Sequence, residues 1–121
     1  MCLSPEGRAA LEQNPDYSSG HTALSWETGL ILAELVPEAA SEVLARARAF
    51  GQSRIVGVHN ASAVEAGWMT ATAVFTMQVS SPNFHGDFES ARTELAGLRA
   101  VAKSKPVGCA AEAKSLAQNP Y

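Results

Sequence analysis

Apolar residues recur at helical spacing through most of this chain, and prolines and glycines mark the breaks between the repeats. Pro37 ends the first long repeat, because proline cannot continue a helix. A chain of 121 residues is long enough for one core. The pattern therefore predicts an all-α helical bundle, a single domain over residues 1–121. Its predicted helices cover residues 4–13, 22–36, 37–56, 60–79, 87–103 and 110–118.

The predicted helices differ in how their apolar residues are distributed. The helix over 87–103 has one apolar stripe, with acidic residues at its start and basic residues at its end, which is typical of a surface scaffold helix. The helices over 22–36 and 60–79 are apolar on most sides, so we expect them to be central. Glu65, Gln78 and several threonines and serines in the last of these argue against a membrane span.

A serine-glycine turn leads directly into the helix over 22–36, with a histidine at the junction. The first N–H groups of a helix lack internal partners and carry partial positive charge, so the Ser19-Gly20 turn is suited to an anion. His21 stands where it could pass a proton to a bound group. The same triplet is also what an ordinary helix cap looks like.

A second polar cluster follows the helix over 37–56. Arg54 continues the apolar stripe formed by Val43, Ala47 and Phe50, and an arginine in that position needs an anionic partner. A carboxylate of the chain or a bound ligand would serve. His59 opens the next helix, where it is either a helix-end histidine with ordinary hydrogen bonds or a catalytic group.

Charge and cysteine content limit the possible partners. The formal net charge is −3, with 9 basic and 12 acidic residues, which makes nucleic acid an unsuitable partner. Cys2 and Cys109 either pair or remain thiols, and no spacing typical of a metal site accompanies them.

The first residues contain no basic and apolar run of the kind found in secretory signals. His85 follows a predicted Ser81-Pro82-Asn83 turn, and we expect it on the surface.

The order Ser19-Gly20-His21, then Ser53-Arg54, then His59 resembles the bacterial class A non-specific acid phosphatases. That family is part of the type 2 phosphatidic acid phosphatase superfamily, which also contains the vanadium haloperoxidases. The resemblance extends from about Cys2 to Leu98. It implies a helical bundle in the periplasm that hydrolyses small phosphate monoesters with no cofactor and no metal. Phosphate or vanadate would bind as an inhibitor.

The resemblance also implies a role for each site residue. His59 would attack phosphorus and form a phosphohistidine, and His21 would protonate the leaving alkoxide and later activate water. Arg54 and the turn at Ser19 and Gly20 would bind the phosphate oxygens.

The chain departs from the family pattern in four respects. The family's upstream motif, a lysine followed after six residues by Arg-Pro, is absent, and the segment between Arg54 and His59 is one residue shorter. Ala63 stands where the family has the aspartate that orients the nucleophilic histidine, and Ser18 stands where it has proline. The alternative prediction is therefore a catalytically weak or inactive fragment that keeps an anion site. A shortened bundle would expose an apolar patch and cover it by dimerising, swapping helices or binding the absent segment.

Overall fold

The structure, a computed structural model, describes Glu6, Ala9 and residues 17–55, 59–102 and 107–117. Those ranges contain helices and connecting turns but no strand, which confirms the all-α prediction. The single domain over the whole chain stays a prediction. The α-helices are α1 (Gly20–Leu35), α2 (Ala40–Ser53), α3 (Ala61–Gln78), α4 (Pro82–Val101) and α5 (Cys109–Ala117), with a 3₁₀ turn at Pro37–Ala39 before α2.

Two of the predicted helix boundaries were wrong in an instructive way. The helix predicted over 37–56 ends at Ser53, because Arg54 and Ile55 bond to carbonyls three residues back and close a tighter turn. The predicted turn at Ser81-Pro82-Asn83 is instead the beginning of α4, with Ser81 as its N-cap. Proline is favoured at the first helical position because its missing N–H is not needed there. His85 therefore lies in a helix, where it is exposed as expected.

The core of the bundle is made of small side chains. The buried apolar residues are Ala47, Ala63, Val64, Ala66 and Ala71, and Val64 is the largest side chain with almost no exposure. A Cβ atom built on Gly29 of α1 would lie 2.6 Å from the Ala47 methyl carbon of α2. Close approach of helix backbones thus replaces the burial of large aliphatic side chains.

Three helices meet at Thr22, which is fully buried in α1. A Cβ on Gly51 of α2 would lie 2.8 Å from the Thr22 methyl carbon, and a Cβ on Gly67 of α3 would lie 2.9 Å from its Cβ. Only glycine fits at both contacts without a shift of the neighbour. The first turn of α1 is consequently held between α2 and α3.

The last two helices lie at the periphery of the described chain. Arg99 of α4 pairs with Glu38 of the 3₁₀ turn, and Arg46 of α2 pairs with Glu112 of α5. Across the ranges that the structure describes, no helix has the length and apolar character needed to cross a membrane. The short helix predicted over 4–13 and the pairing of Cys2 fall outside the described residues.

Candidate functional site

The first turn of α1 is capped by a buried serine. The Ser19 hydroxyl accepts hydrogen bonds from the Thr22 peptide N–H at 3.3 Å and the Thr22 hydroxyl at 2.9 Å. This is the usual capping arrangement, in which a side-chain oxygen satisfies an N–H that has no partner within the helix. Ser19 has no exposed surface, so its hydroxyl holds the turn and is not accessible to a ligand from solvent.

The first turn of α3 is capped in the same manner by Asn60. Its side-chain oxygen accepts from the Ala63 peptide N–H at 2.8 Å and from the Ser62 hydroxyl at 2.7 Å. The Ser19 peptide N–H donates to the Ala63 carbonyl at 2.9 Å. The beginnings of α1 and α3 are therefore joined directly through the backbone.

This junction brings two of the predicted catalytic residues together. The ring centroids of His21 and His59 lie 6.2 Å apart, with a 54° angle between the ring planes. His21 is exposed and His59 is half-buried. Two residues distant in sequence thus lie near each other, one at the beginning of α1 and one just before α3.

Arg54 reaches the same region through the backbone. The His59 peptide N–H donates to the Arg54 carbonyl at 3.1 Å, which links the two residues directly. The Arg54 guanidinium lies over the Phe50 ring at 4.5 Å, and its Nε donates to the Ser53 hydroxyl at 3.3 Å. Among the residues that the structure describes, no carboxylate pairs with Arg54. The intrachain salt bridge considered for it is therefore not found there.

The turn at Ser19 and Gly20 differs in detail from the expected anion site. The Ser19 N–H and hydroxyl already make hydrogen bonds within the protein, so neither is available to bind a phosphate oxygen. Gly20 and His21 are the first two residues of α1, and their N–H groups have no acceptor within the helix. Gly20 is exposed, and a Cβ built on it would have no heavy atom within 4 Å. The available donors thus lie one residue later than predicted.

The chain is 42% identical over 96 residues to the "Acid phosphatase" of Zymomonas mobilis. It is 37% identical over 90 residues to a "Non-specific acid phosphatase" of Providencia stuartii and 38% over 92 residues to one of Salmonella typhimurium. The chain is similar to bacterial acid phosphatases. The alignments cover 78%, 74% and 75% of the chain but only 36–37% of each relative, so it spans about a third of their length. No protein-family model matches it.

The departures from the acid phosphatase pattern can be located in this structure. Ala63, where the resemblance implies an orienting aspartate, is completely buried in the first turn of α3. Glu65 is exposed on the same helix.

Sequence reasoning missed Thr22, Gly51 and Gly67, whose close contacts hold the first turn of α1 between α2 and α3. Glycines within apolar helices were the available signal, because they permit close backbone approach.

A metal site is absent from the portion of the chain that the structure describes. No group of three or more histidine, cysteine, aspartate or glutamate side chains is close enough there to hold an ion. Cys109 lies at the exposed beginning of α5.

Proposed function

We propose that this chain carries the catalytic histidines of an acid phosphatase that hydrolyses phosphate monoesters through a phosphohistidine. The observation that carries the proposal is the approach of His21 and His59 to 6.2 Å, beside the unbonded N–H groups of α1. A nucleophile and a proton donor have to flank one phosphoryl group for in-line displacement. The similarity to proteins named acid phosphatases supports phosphatase activity, and the phosphohistidine is part of the proposal.

In the proposed reaction, a ring nitrogen of His59 attacks phosphorus while the bond from phosphorus to the ester oxygen breaks. His21 gives its proton to the leaving alkoxide, so the alcohol departs neutral. Water then attacks the phosphohistidine, His21 takes a proton from that water, and the nitrogen–phosphorus bond breaks. Phosphate is released and both histidines return to their starting states. The Gly20 and His21 N–H groups and the Arg54 guanidinium would bind the phosphoryl oxygens.

Ser19 has a different part in this proposal from the one its position first suggested. Its hydroxyl caps α1 and its N–H donates to the Ala63 carbonyl, so Ser19 holds the N–H donors of the next two residues in place.

The proposed reaction has no step that requires a metal or a cofactor. The resemblance makes the periplasm the proposed compartment, which fractionation of the producing cells would test.

The second candidate is an anion-binding helical unit with little turnover. Ala63 cannot orient His59 as a carboxylate would, and loss of such an orienting group costs orders of magnitude in rate. The Arg54 guanidinium also lies over the Phe50 ring, which engages it within the protein. Phosphate or vanadate binding with no release of product from an ester would favour this candidate.

Hydrolysis of p-nitrophenyl phosphate at about pH 6, near the ordinary pKa of histidine, tests the proposal. His59→Ala should reduce turnover to background, and His21→Ala should reduce it by about 10²–10⁴-fold. His85→Ala is the matched control, because His85 is exposed on α4 and should leave the rate unchanged. With ³²P-labelled substrate, the parent chain should give an acid-labile phosphoprotein that His59→Ala lacks. Equal rates for the parent chain and His59→Ala would refute it.

A further inference from the structure

An apolar groove runs along the surface between α1 and α2. Its volume is about 440 Å³, within the range of small-molecule sites. His21 and Phe50 line one end, and Leu32 and Val43 line the other. The rise of an α-helix puts His21 and Leu32 about 16 Å apart along α1. Leu24 also lines it and is 68% exposed.

The polar groups in the groove are already bonded within the protein. The Ser25 hydroxyl donates to the Ala47 carbonyl at 3.0 Å, and the Thr28 hydroxyl donates to the Leu24 carbonyl at 2.8 Å. Arg46 pairs with Glu112. A ligand in the groove would therefore find mostly apolar surface, with His21 at one end and the half-exposed Arg46 guanidinium as the remaining polar groups.

The groove joins the candidate site on one side only. Of the two site histidines, His21 lines the groove and His59 does not. In the reaction proposed above, His21 gives its proton to the oxygen that leaves with the alcohol. The carbon atoms attached to that oxygen must then lie on the His21 side, where the groove begins.

We infer that the groove binds the apolar alcohol portion of the substrate, so that monoesters of alkyl or aryl alcohols are preferred over those of polar alcohols. The inference rests on the proposed function, because it takes the orientation of the substrate from His21. Leu24 is the specificity-determining residue, since its side chain is the most exposed of the large apolar groups in the groove.

A series of n-alkyl phosphates from ethyl to octyl, kept below micelle-forming concentrations, tests the inference with the full chain. Each added methylene should lower KM by about 2- to 4-fold, the upper value corresponding to complete burial. Leu24→Ser should flatten the series, so that KM for octyl phosphate approaches KM for ethyl phosphate. Met69→Ser is the matched control, because Met69 is 66% exposed on α3 outside the groove, and it should keep the parent slope.

A binding experiment distinguishes failure of the inference from failure of the proposed function. Octylphosphonate and methylphosphonate cannot be hydrolysed, and their dissociation constants can be measured by calorimetry with the parent chain and Leu24→Ser. Octylphosphonate should bind the parent chain at least tenfold more tightly, and Leu24→Ser should remove the difference. Equal binding of the two phosphonates overturns the inference, and that result is also expected if a second copy of the chain covers the groove. Loss of all turnover with this selectivity intact overturns only the proposed reaction.

Discussion

The peptide N–H of Ser19 donates to the carbonyl oxygen of Ala63 at 2.9 Å, and this bond ties together the turns that precede His21 and follow His59. Neither residue has any exposed surface. The separation of the two histidine rings therefore depends on a buried backbone contact. Changes behind this contact should alter catalysis without touching either histidine.

Gly67→Ala tests the contact between the beginnings of α1 and α3, because Gly67 of α3 packs against Ser19. The new methyl carbon would lie 2.8 Å from the Ser19 carbonyl oxygen, so the beginning of α1 must move away from α3. We expect the free energy of unfolding to fall by about 1–3 kcal/mol, as measured by urea denaturation. Phosphatase activity should fall as well, because His21 moves with that turn.

Gly97→Ala is the control for this substitution. A Cβ on Gly97 of α4 has no heavy atom within 4 Å, so alanine should stabilise the helix by about 0.5–1 kcal/mol. If Gly67→Ala were as stable as Gly97→Ala, the close packing of α1 on α3 would be incorrect.

Gly20→Ala tests whether Gly20 is needed for ligand binding and not for stability. The open space around Gly20 means that alanine should leave the urea midpoint unchanged or raise it slightly. If a phosphoryl group binds at the N–H groups of this turn, the added methyl should hinder its approach and raise KM for p-nitrophenyl phosphate. A variant with unchanged stability and unchanged KM would move the anion site elsewhere.

Arg54→Ala should weaken vanadate inhibition by about ten- to a hundredfold, the range expected for a charged hydrogen bond. Arg54→Lys should have an intermediate effect, because lysine keeps the charge but loses the planar pair of donors. Arg48→Ala provides the control, since the Arg48 guanidinium also lies over an aromatic ring, Trp68, at 4.9 Å. Vanadate inhibition that is equal in Arg54→Ala and Arg48→Ala would remove Arg54 from the site.

The sequence was a good guide to the helices, whereas the roles of the site residues stay predictions. Apolar runs at helical spacing, bounded by proline and glycine, predicted α1, α2 and α3 to within about three residues. The pattern missed the beginning of α4, where Pro82 at the first helical position suggested a turn. It also missed the internal bonds of Ser19, because an accessible turn and a buried cap have the same local sequence.

The pKa of the Glu38 carboxyl is lowered below its ordinary value by a backbone hydrogen bond and by Arg99. A carboxyl pKa that is lower in the folded state than in the unfolded state stabilises the fold at pH values above the unfolded-state pKa. This contribution is lost as the pH falls through the folded-state pKa. The ion pair should therefore persist at the mildly acid pH of the phosphatase assay. Arg99→Gln should raise the Glu38 pKa measured by NMR titration, though only in part, because the backbone bond remains. An unchanged titration midpoint would contradict the pairing.

Association through exposed apolar side chains is expected in solution. Outside the groove, the large apolar side chains with the most exposure in α3 and α4 are Met69, Met77, Leu98 and Val101. Exposed apolar surface of this kind favours self-association. Light scattering after size-exclusion chromatography should give a mass that rises with protein concentration. A constant monomer mass over the whole range would show that these side chains do not drive dimerisation.

The small-residue core has a consequence for how this protein can be mapped by mutation. Several of the buried positions are already alanine or glycine, so a scan that replaces residues by alanine passes over the contacts on which the helices depend. The informative experiment is a scan toward larger residues such as valine, which would identify positions with no spare volume. Such a scan should produce a band of intolerant positions along the facing sides of α1, α2 and α3, and that band would trace the helix crossings without a structure.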